Sequence, residues 1–225
     1  MSDGRKILTA PRLILVAALA GALAGAVAVY VTWGPDGNNP HAVADAAAEA
    51  DRACAAKAGR AEGLSALAVG DVAAMLPADP PRSLAALAFD DPDGRASTIA
   101  DHAGKTLLVN LWATWCAPCR AEMPALDALQ RRMGGDAFEV VAINIDTGDD
   151  AKPRAFLSEI GVTALRFYRD ATMGVFNDLK RRSLALGLPV TLLVDAEGCL
   201  LASMNGPAEW AGDDARKLIE AAVGR

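Results

Sequence analysis

The feature that most constrains the fold is a pair of cysteines at the point where a buried strand gives way to a helix. Leu107–Ala113 is a continuous apolar run broken only by Asn110, as expected of a strand covered on both faces. The chain then reads Trp115-Cys116-Ala117-Pro118-Cys119, and Cys116–Met133 has the pattern of an amphipathic helix. This context indicates a reactive CxxC rather than a chance spacing.

Strands and helices alternate around this junction from about Ser83 onward. The predicted strands are Leu84–Phe89, Arg95–Ile99, Leu107–Ala113, Glu139–Ile145, Arg166–Tyr168, Val190–Val194 and Leu200–Met204. The predicted helices are Cys116–Met133, Lys152–Ile160, Met173–Arg181 and Asp213–Val223. The first two strands form a hairpin around the turn Asp90–Gly94. This order predicts an α/β fold with a central mixed sheet and helices on both faces.

The position of each cysteine predicts its chemical role. Cys116 lies at a helix N-terminus, where free backbone N–H groups and the helix dipole stabilise a thiolate, so it is the predicted nucleophile. Cys119 lies one turn further along, close enough to form a disulfide and less exposed, so it is the predicted resolving thiol. Pro118 stiffens the bridge without loss of a helix hydrogen bond. We expect attack of Cys116 on a disulfide, a mixed disulfide, and release by Cys119.

Other uses of the cysteines fit the sequence less well. A zinc site would need a second CxxC or paired histidines, whereas the chain has 4 Cys and 2 His in all, so no metal is expected. Peroxide chemistry also uses a thiolate, but two thiols at this spacing better suit dithiol exchange. No cofactor is expected, and a net charge of −6 argues against nucleic acid as a partner.

An N-terminal apolar segment predicts a membrane anchor. Leu13–Trp33 carries no charge and matches the roughly 20 residues that a helix needs to cross a bilayer. Arg5, Lys6 and Arg12 precede it, so the positive-inside rule leaves the first residues in the cytoplasm and exports the rest. The alternative is a cleaved signal peptide, because Ala24-Gly25-Ala26 and Ala26-Val27-Ala28 both offer small-residue cleavage sites.

The whole chain is therefore divided as follows: residues 1–12 cytoplasmic, 13–33 transmembrane anchor, 34–41 linker, 42–82 helical extension, and 83–225 the α/β domain. The linker is rich in Pro, Gly and Asn. In the extension we expect an Ala-rich helix over Ala42–Ala58, which carries Cys54, and a short helix or strand around Leu64–Met75.

Val109–Pro124, which reads VNLWATWCAPCRAEMP, resembles the active-site signature of the thioredoxin-like TlpA/ResA group of membrane-anchored thiol:disulfide interchange proteins. The resemblance extends from about Leu84 to the C-terminus. Gly187–Thr191 is similar to the cis-proline loop of this group, which faces the CxxC and pairs with a bound substrate strand. Gly206–Trp210 and the insertion Tyr168–Arg182 resemble TlpA-type members in particular. The resemblance implies a thioredoxin fold with an N-terminal β-hairpin and an extra N-terminal helix.

The resemblance also implies roles for individual residues. The expected substrate contacts are Trp115, Ala117, Pro118, Leu188 and Pro189, and Pro189 is also counted with the catalytic residues. Glu122 is similar to a carboxylate that modulates proton transfer at the dithiol, although an ordinary solvated helix residue remains open. Asn110 stands where cytoplasmic thioredoxins have a buried aspartate, so any proton relay is expected to run elsewhere.

Cys54 and Cys199 are the cysteines outside the CxxC. In TlpA-type proteins a second disulfide ties the extra helix to the body, which implies a structural Cys54–Cys199 bridge in an oxidising compartment. Two unpaired buried thiols are the alternative.

The resemblance implies a reductant of cysteine pairs in proteins of the cytochrome oxidase copper site or of cytochrome c maturation. Its expected partners are cytochrome oxidase subunit II, its copper chaperone or apocytochrome c, with a membrane thiol transporter as electron donor. The expected location is the inner membrane, with the catalytic domain in the periplasm. Two alternatives stay open: a disulfide-forming oxidant with the same residues, and a copper-binding module of Sco type, which would need CxxxC and a downstream histidine.

Overall fold

The computed structural model describes residues 40–224. The chain divides into two units, Met1–Ala48 and Glu49–Arg225, and of the first unit only the helix residues from Pro40 onward are described. Among the described residues no helix is both long enough and apolar enough to cross a membrane. The predicted segment Leu13–Trp33 lies outside them.

The helices in chain order are α1 (Pro40–Ala55), α2 (Ala58–Ser65), α3 (Ala117–Met133), α4 (Ala151–Glu159), α5 (Gly174–Arg181) and α6 (Asp213–Val223). The strands are β1 (Leu76–Pro77), β2 (Ala88–Asp90), β3 (Ala96–Thr98), β4 (Thr106–Trp112), β5 (Phe138–Asn144), β6 (Tyr168–Arg169), β7 (Val190–Val194) and β8 (Leu200–Asn205). Short 3-10 turns cover Gly70–Val72 and Ile99–His102.

The strands form one 8-stranded mixed sheet in the order β1-β8-β7-β4-β5-β6-β2-β3. β4 pairs in parallel with β5 and antiparallel with β7, and every residue of these three strands is buried. A strand that is buried along its whole length must be covered on both faces, which explains its near-continuous apolar sequence. The predicted α/β fold with a mixed sheet and flanking helices is therefore confirmed.

Helices α3 and α6 supply much of the apolar cover. Met123 and Leu126 of α3 and Leu218 and Ile219 of α6 are fully buried in the core that contains β4. These residues recur at helical spacing, as an amphipathic helix on a sheet requires. The packing fixes α3, and with it the CxxC, at the carboxyl end of β4.

The predicted long strands and helices agree with the observed elements to within about two residues, and β7 and α6 agree fully. The predicted hairpin strand Leu84–Phe89 is shorter in the structure. Leu84 donates its N–H to the Gly198 carbonyl and Leu87 donates to the Leu84 carbonyl, so the chain turns there. Strand pairing therefore begins only at Ala88, which lies opposite Thr98.

The helical extension departs most from the prediction. The expected helix Ala42–Ala58 is α1, which begins at Pro40 and ends at Ala55, followed by a turn and α2. The single element expected around Leu64–Met75 is wrong: α2 ends at Ser65 and a 3-10 turn follows at Gly70–Val72. Gly70 has a φ of 53°, in the left-handed region, so a regular helix or strand cannot continue through it.

Candidate active site

The reactive cysteines lie at the start of α3, immediately after the buried strand β4. Cys116 is the N-cap residue, and its Sγ accepts a hydrogen bond from the Cys119 backbone N–H at 3.3 Å. The two cysteines form a disulfide with a Cα–Cα distance of 5.3 Å. Cys116 is 6% exposed and Cys119 is 0% exposed, so only the first sulfur borders the surface. This asymmetry matches a nucleophile at the rim and a resolving thiol behind it.

The residues around the disulfide form a small exposed platform. Trp115 is 61% exposed, and Ala117 and Pro118 are exposed beside it. Pro118 occupies the first turn of α3, where it removes no helix hydrogen bond. A cavity of about 350 Å³ is lined by Trp115 together with Asp149 and Lys152. An approaching polypeptide would meet apolar surface directly beside Cys116.

The loop before β7 reaches the same end of the sheet. Val190 of β7 lies opposite Leu111 of β4, so Pro189 lies at the level of Trp112, where β4 ends. The Leu188–Pro189 peptide bond is cis. Pro189 is buried and Leu188 is partly buried, and the Pro189 carbonyl accepts the Gly206 N–H at 2.9 Å. The predicted cis-proline loop and the CxxC therefore occupy one edge of the molecule.

Glu122 lies one helical turn after Cys119 and is buried, with only 3% of its surface exposed. Its Oε1 accepts a hydrogen bond from Asn110 Nδ2 at 2.8 Å. Its Oε2 accepts from Trp210 Nε1 at 3.1 Å and from the Ala208 backbone N–H at 3.2 Å. The alternative of an ordinary solvated helix residue is therefore wrong, because this carboxyl group belongs to an interior hydrogen-bond network.

Burial raises the pKa of Glu122 to about 7, while the hydrogen bonds from Asn110, Trp210 and Ala208 act in the opposite direction. Each of these three donors stabilises the ionised carboxylate, and desolvation outweighs them. A carboxyl group that titrates near neutral pH can both take up and release a proton during thiol chemistry. The geometry thus makes Glu122 suitable as an acid and base beside the dithiol.

The loop that carries Trp115 is held by a carboxylate that sequence reasoning missed. Asp146, just after β5, accepts hydrogen bonds from the Thr114 backbone N–H and from Thr114 Oγ1, both at 2.9 Å. Asn144 Nδ2 donates to the same carboxylate at 2.8 Å. β5 pairs in parallel with β4, so both strands end at the same edge of the sheet. A polar residue just after β5 is the sequence signal that could have revealed Asp146. Asp146 fixes the approach of the chain to Cys116.

The second pair of cysteines lies away from the CxxC. Cys54 of α1 and Cys199, which directly precedes β8, form a disulfide and are almost fully buried. Lys57 Nζ reinforces this contact through Asp195 Oδ2 at 2.6 Å and Glu197 Oε2 at 2.7 Å. The alternative of two unpaired thiols is not what the structure contains.

A second charged cluster lies at the opposite end of the sheet, where β4 and β5 begin. Glu139 is buried, accepts a hydrogen bond from the Tyr168 hydroxyl and lies 3.5 Å from His102 Nδ1. Burial acts to raise the pKa of Glu139, but its partners, including His102 and Tyr168, outweigh it and lower that pKa to about 2. A cavity of about 240 Å³ borders the cluster, and none of its lining residues is a cysteine. Within residues 40–224 no three His, Cys, Asp or Glu side chains are placed to hold a metal ion.

A strand, a CxxC at the start of the next helix and a cis-proline loop at the same sheet edge define the thioredoxin-like class of proteins. Residues 82–219, more than half of the chain, match the family model described as Redoxin. The chain therefore belongs to the Redoxin family. This confirms the family-level resemblance to thioredoxin-like interchange proteins of the TlpA/ResA group.

Individual relatives agree with this assignment. The chain is 38% identical over 105 residues to the thiol:disulfide interchange protein HelX of Rhodobacter capsulatus, covering 46% of this chain and 54% of HelX. It is 34% identical over 110 residues to the thioredoxin-like protein YneN of Bacillus subtilis, covering 48% of this chain and 60% of YneN. Identity to the thiol-disulfide oxidoreductase ResA of Bacillus subtilis is 27% over 122 residues, covering 52% of this chain and 63% of ResA. The chain thus spans less than two thirds of each of these relatives.

Solved structures share the fold. A thiol:disulfide interchange protein of the thioredoxin family from Chlorobium tepidum matches with a TM-score of 0.52 and 25% identity, covering 64% of this chain and 98% of that chain. A putative thiol:disulfide interchange protein DsbE from the same organism matches with a TM-score of 0.54 and 24% identity, covering 63% of this chain and 96% of that chain. The thioredoxin-like fold is therefore established.

Proposed function

We propose that this chain is a thiol:disulfide oxidoreductase that reduces cysteine pairs in target proteins. The observation that carries the proposal is the Cys116–Cys119 disulfide at the N-terminus of α3, with Cys116 slightly exposed, at 6%, and Cys119 fully buried behind it. The names of HelX and ResA, a thiol:disulfide interchange protein and a thiol-disulfide oxidoreductase, and their similarity to this chain support thiol–disulfide exchange. Trp115, Ala117, Pro118, Leu188 and Pro189 are proposed to contact the substrate.

The reaction begins with both cysteines reduced. The Cys116 thiolate attacks one sulfur of a target disulfide, and the S–S bond of the target breaks as a bond between Cys116 and the target forms. The departing target thiolate takes up a proton from the solvent. Cys119 then gives its proton to the Glu122 carboxylate and attacks Cys116 Sγ, which releases the second target thiolate. Two electrons pass to the target, and the Cys116–Cys119 disulfide remains.

Electrostatics support the reductive direction. Glu122 is buried one helical turn from Cys119, and above neutral pH it is largely ionised. A buried negative charge disfavours a neighbouring thiolate, which favours the disulfide of this protein and hence donation of electrons. The observation that favours the opposite direction, a disulfide-forming oxidant, is the N-cap position of Cys116, since a helix N-terminus stabilises the thiolate of the reduced form.

The wider setting of the reaction is proposed from the sequence. Leu13–Trp33 is proposed to anchor the chain in the inner membrane, with the catalytic domain in the periplasm. The targets are then membrane-associated proteins of cytochrome oxidase copper-site or cytochrome c maturation: subunit II, its copper chaperone or apocytochrome c. An exported reductant needs a continuous supply of electrons, which a membrane thiol transporter would provide. Anchoring raises the effective concentration of the dithiol near such targets.

The test is to capture the mixed disulfide. In the Cys119→Ser variant Cys116 can attack a target but nothing resolves the adduct, so a covalent complex that dithiothreitol releases should accumulate in membranes. The matched control is Cys116→Ser, which keeps Cys119 and should capture nothing because Cys119 is fully buried. If Cys119→Ser accumulates no adduct, or if Cys116→Ser accumulates as much, the proposed reaction is wrong.

A further inference from the structure

The side chain of Asn110 connects Glu122, the proposed acid and base, to β7, the strand that follows the cis-proline Pro189. Asn110 lies near the middle of β4 and is fully buried. Its Nδ2 donates to Glu122 Oε1 on α3 at 2.8 Å and also to Thr191 Oγ1 on β7 at 3.0 Å. One amide group therefore joins the helix that begins with the CxxC to the strand that follows Pro189.

The oxygen atom of the same amide has no hydrogen-bond donor among the described residues. Asn110 Oδ1 is buried and finds no hydrogen-bond partner anywhere in residues 40–224. A buried amide oxygen is a strong acceptor, and leaving it unpaired costs free energy. Such an atom calls for an explanation in the working of the site. Its neighbour, Glu122, is the group whose hydrogen-bonding needs change during the reaction.

The two protonation states of Glu122 need opposite partners. The ionised carboxylate only accepts, and it receives Asn110 Nδ2, Trp210 Nε1 and the Ala208 N–H. A protonated carboxyl group also donates and so needs an acceptor. An indole N–H and a backbone N–H cannot accept, whereas an asparagine amide can if it turns about its Cβ–Cγ bond. The Thr191 hydroxyl can donate or accept, so it can follow either orientation.

We propose that Asn110 is a positioning residue whose side-chain amide reverses when Glu122 takes up a proton. In the reversed state Oδ1 lies where Nδ2 lay, and it accepts hydrogen bonds from the protonated Glu122 Oε1 and from Thr191 Oγ1. The inference rests on the proposed function and deepens it. When Cys119 attacks, its S–H bond breaks and its proton forms an O–H bond on Glu122; the reversed amide holds that proton in place.

The side chains and backbone groups that form the hydrogen-bond network of Glu122 are all uncharged. β4 contributes Asn110, β7 contributes Thr191, and the loop before α6 contributes Trp210 and the Ala208 N–H. Glu209 in that loop is exposed and accepts from the Ala211 N–H instead. Glu122 makes no ion pair with any side chain of the described residues. Glu122 is therefore the titrating group to which the amide responds.

The first test compares two variants of the full chain in its disulfide form. The proton affinity of Glu122 is measured from the pH dependence of its carboxyl infrared band. The band is assigned to Glu122 by its absence from Glu122→Gln. Trp210→Phe removes a partner that serves only the ionised form, so the proton affinity should rise by about tenfold, one pH unit in midpoint. Asn110→Leu removes a partner that serves both forms, so the change should stay below about threefold. An Asn110→Leu rise as large as that of Trp210→Phe would make Asn110 a fixed donor and overturn the inference.

The second test needs no variant, which protects it from misfolding of an altered core. In the full chain the Asn110 amide protons should give nuclear Overhauser contacts to the Thr191 methyl group above the Glu122 midpoint. Those contacts should weaken several-fold below the midpoint, because the amide protons then lie on the side of the group away from Thr191. Unchanged contacts across the titration would reject the reversal. Both tests use protein without a target, so their outcome does not depend on the capture experiment. If Cys119→Ser captures no target, the proposed function is wrong, whatever the two tests show for Asn110.

Discussion

Glu122 is a single residue at which stability and chemistry are in conflict. Its ordinary pKa is 4.5, and burial raises the pKa in the folded protein to about 7. Because the folded state binds this proton more tightly than the unfolded state, the stabilisation is complete below about pH 4.5 and is lost as the pH rises through about 7. The difference corresponds to about 3 kcal/mol between these limits. Ionisation of Glu122 in the interior therefore lowers the stability of the folded protein.

Replacing Glu122 by Gln should remove this pH dependence. We expect the free energy of unfolding of Glu122→Gln, relative to the unchanged protein, to rise by about 2.5 kcal/mol between pH 5 and pH 8, because only the natural side chain must ionise in the interior. Denaturant unfolding with both disulfides intact, at several pH values, measures the difference. Glu209→Gln, an exposed carboxylate in the neighbouring loop, is the control. A relative stability that does not change with pH contradicts the raised pKa.

At the same scale, the sequence predicts some site residues and conceals others. Cys116 and Cys119 are predictable because their chemistry depends on local spacing and on the start of a helix. The burial of Glu122 is not, because it depends on Trp210 and Ala208, more than eighty residues away along the chain. Asn110 is a polar exception in the apolar run of β4. Its presence indicates that it has a buried polar partner, but the sequence does not identify that partner.

Among the elements, the contact between α1 and the turn before β8 shows how a short extension is held. The Cys54–Cys199 disulfide joins residues 145 positions apart. Beside it, Lys57 donates to Asp195, whose side chain is only 1% exposed, and to Glu197. Burial acts to lower the pKa of Lys57, but its hydrogen bonds and charge interactions with these two carboxylates outweigh it and raise that pKa. The extension is thus held by a covalent bond and by charge.

Removing that disulfide should destabilise the fold and leave the exchange chemistry in place. In the chain-entropy model a loop of this length stabilises by about 5 kcal/mol. We expect the double variant Cys54→Ser, Cys199→Ser to lose up to that amount, with the Lys57 contacts reducing the loss. Thermal unfolding gives the stability, and reduction of a small disulfide gives the exchange rate. Loss of exchange with unchanged stability would contradict a structural role.

The extent to which elements are predictable follows from their length. β4, β5, β7 and α6 carry enough apolar residues in a regular pattern to be read from the sequence within about two residues. β6 has two residues and β1 has two, and such strands exist because a neighbouring strand offers hydrogen bonds. Their own residues carry no periodicity that could identify them. The fold class was therefore predictable, whereas the sheet edges were not.

For the whole molecule, the proposed anchor makes a direct prediction about location. If Leu13–Trp33 spans the inner membrane, the full-length chain should stay with membranes in alkaline carbonate, which strips peripheral proteins. The domain that carries Cys116 should be digested by protease added to spheroplasts. The intact mass tells the two interpretations of the segment apart. A soluble chain shortened by about the first 26 to 28 residues would mean that the segment is a cleaved signal peptide.

The direction of electron flow is also a property of the whole molecule, because it depends on the reduction potential of the dithiol relative to donor and target. The N-cap position of Cys116 favours the reduced form, and ionised Glu122 disfavours it. We expect the second effect to prevail, with a potential at or below about −220 mV for the full chain in a glutathione couple at pH 7.

Glu122→Gln is the variant that tests this balance. Without the buried charge the thiolate is favoured, so its potential at pH 8 should be less negative by on the order of 30 mV, which corresponds to about 1.4 kcal/mol. At pH 6 the difference should shrink, because Glu122 is then mostly protonated in the unchanged protein. A potential near about −120 mV in the unchanged chain would identify a protein that introduces disulfides, and the proposed reduction of targets would then be wrong.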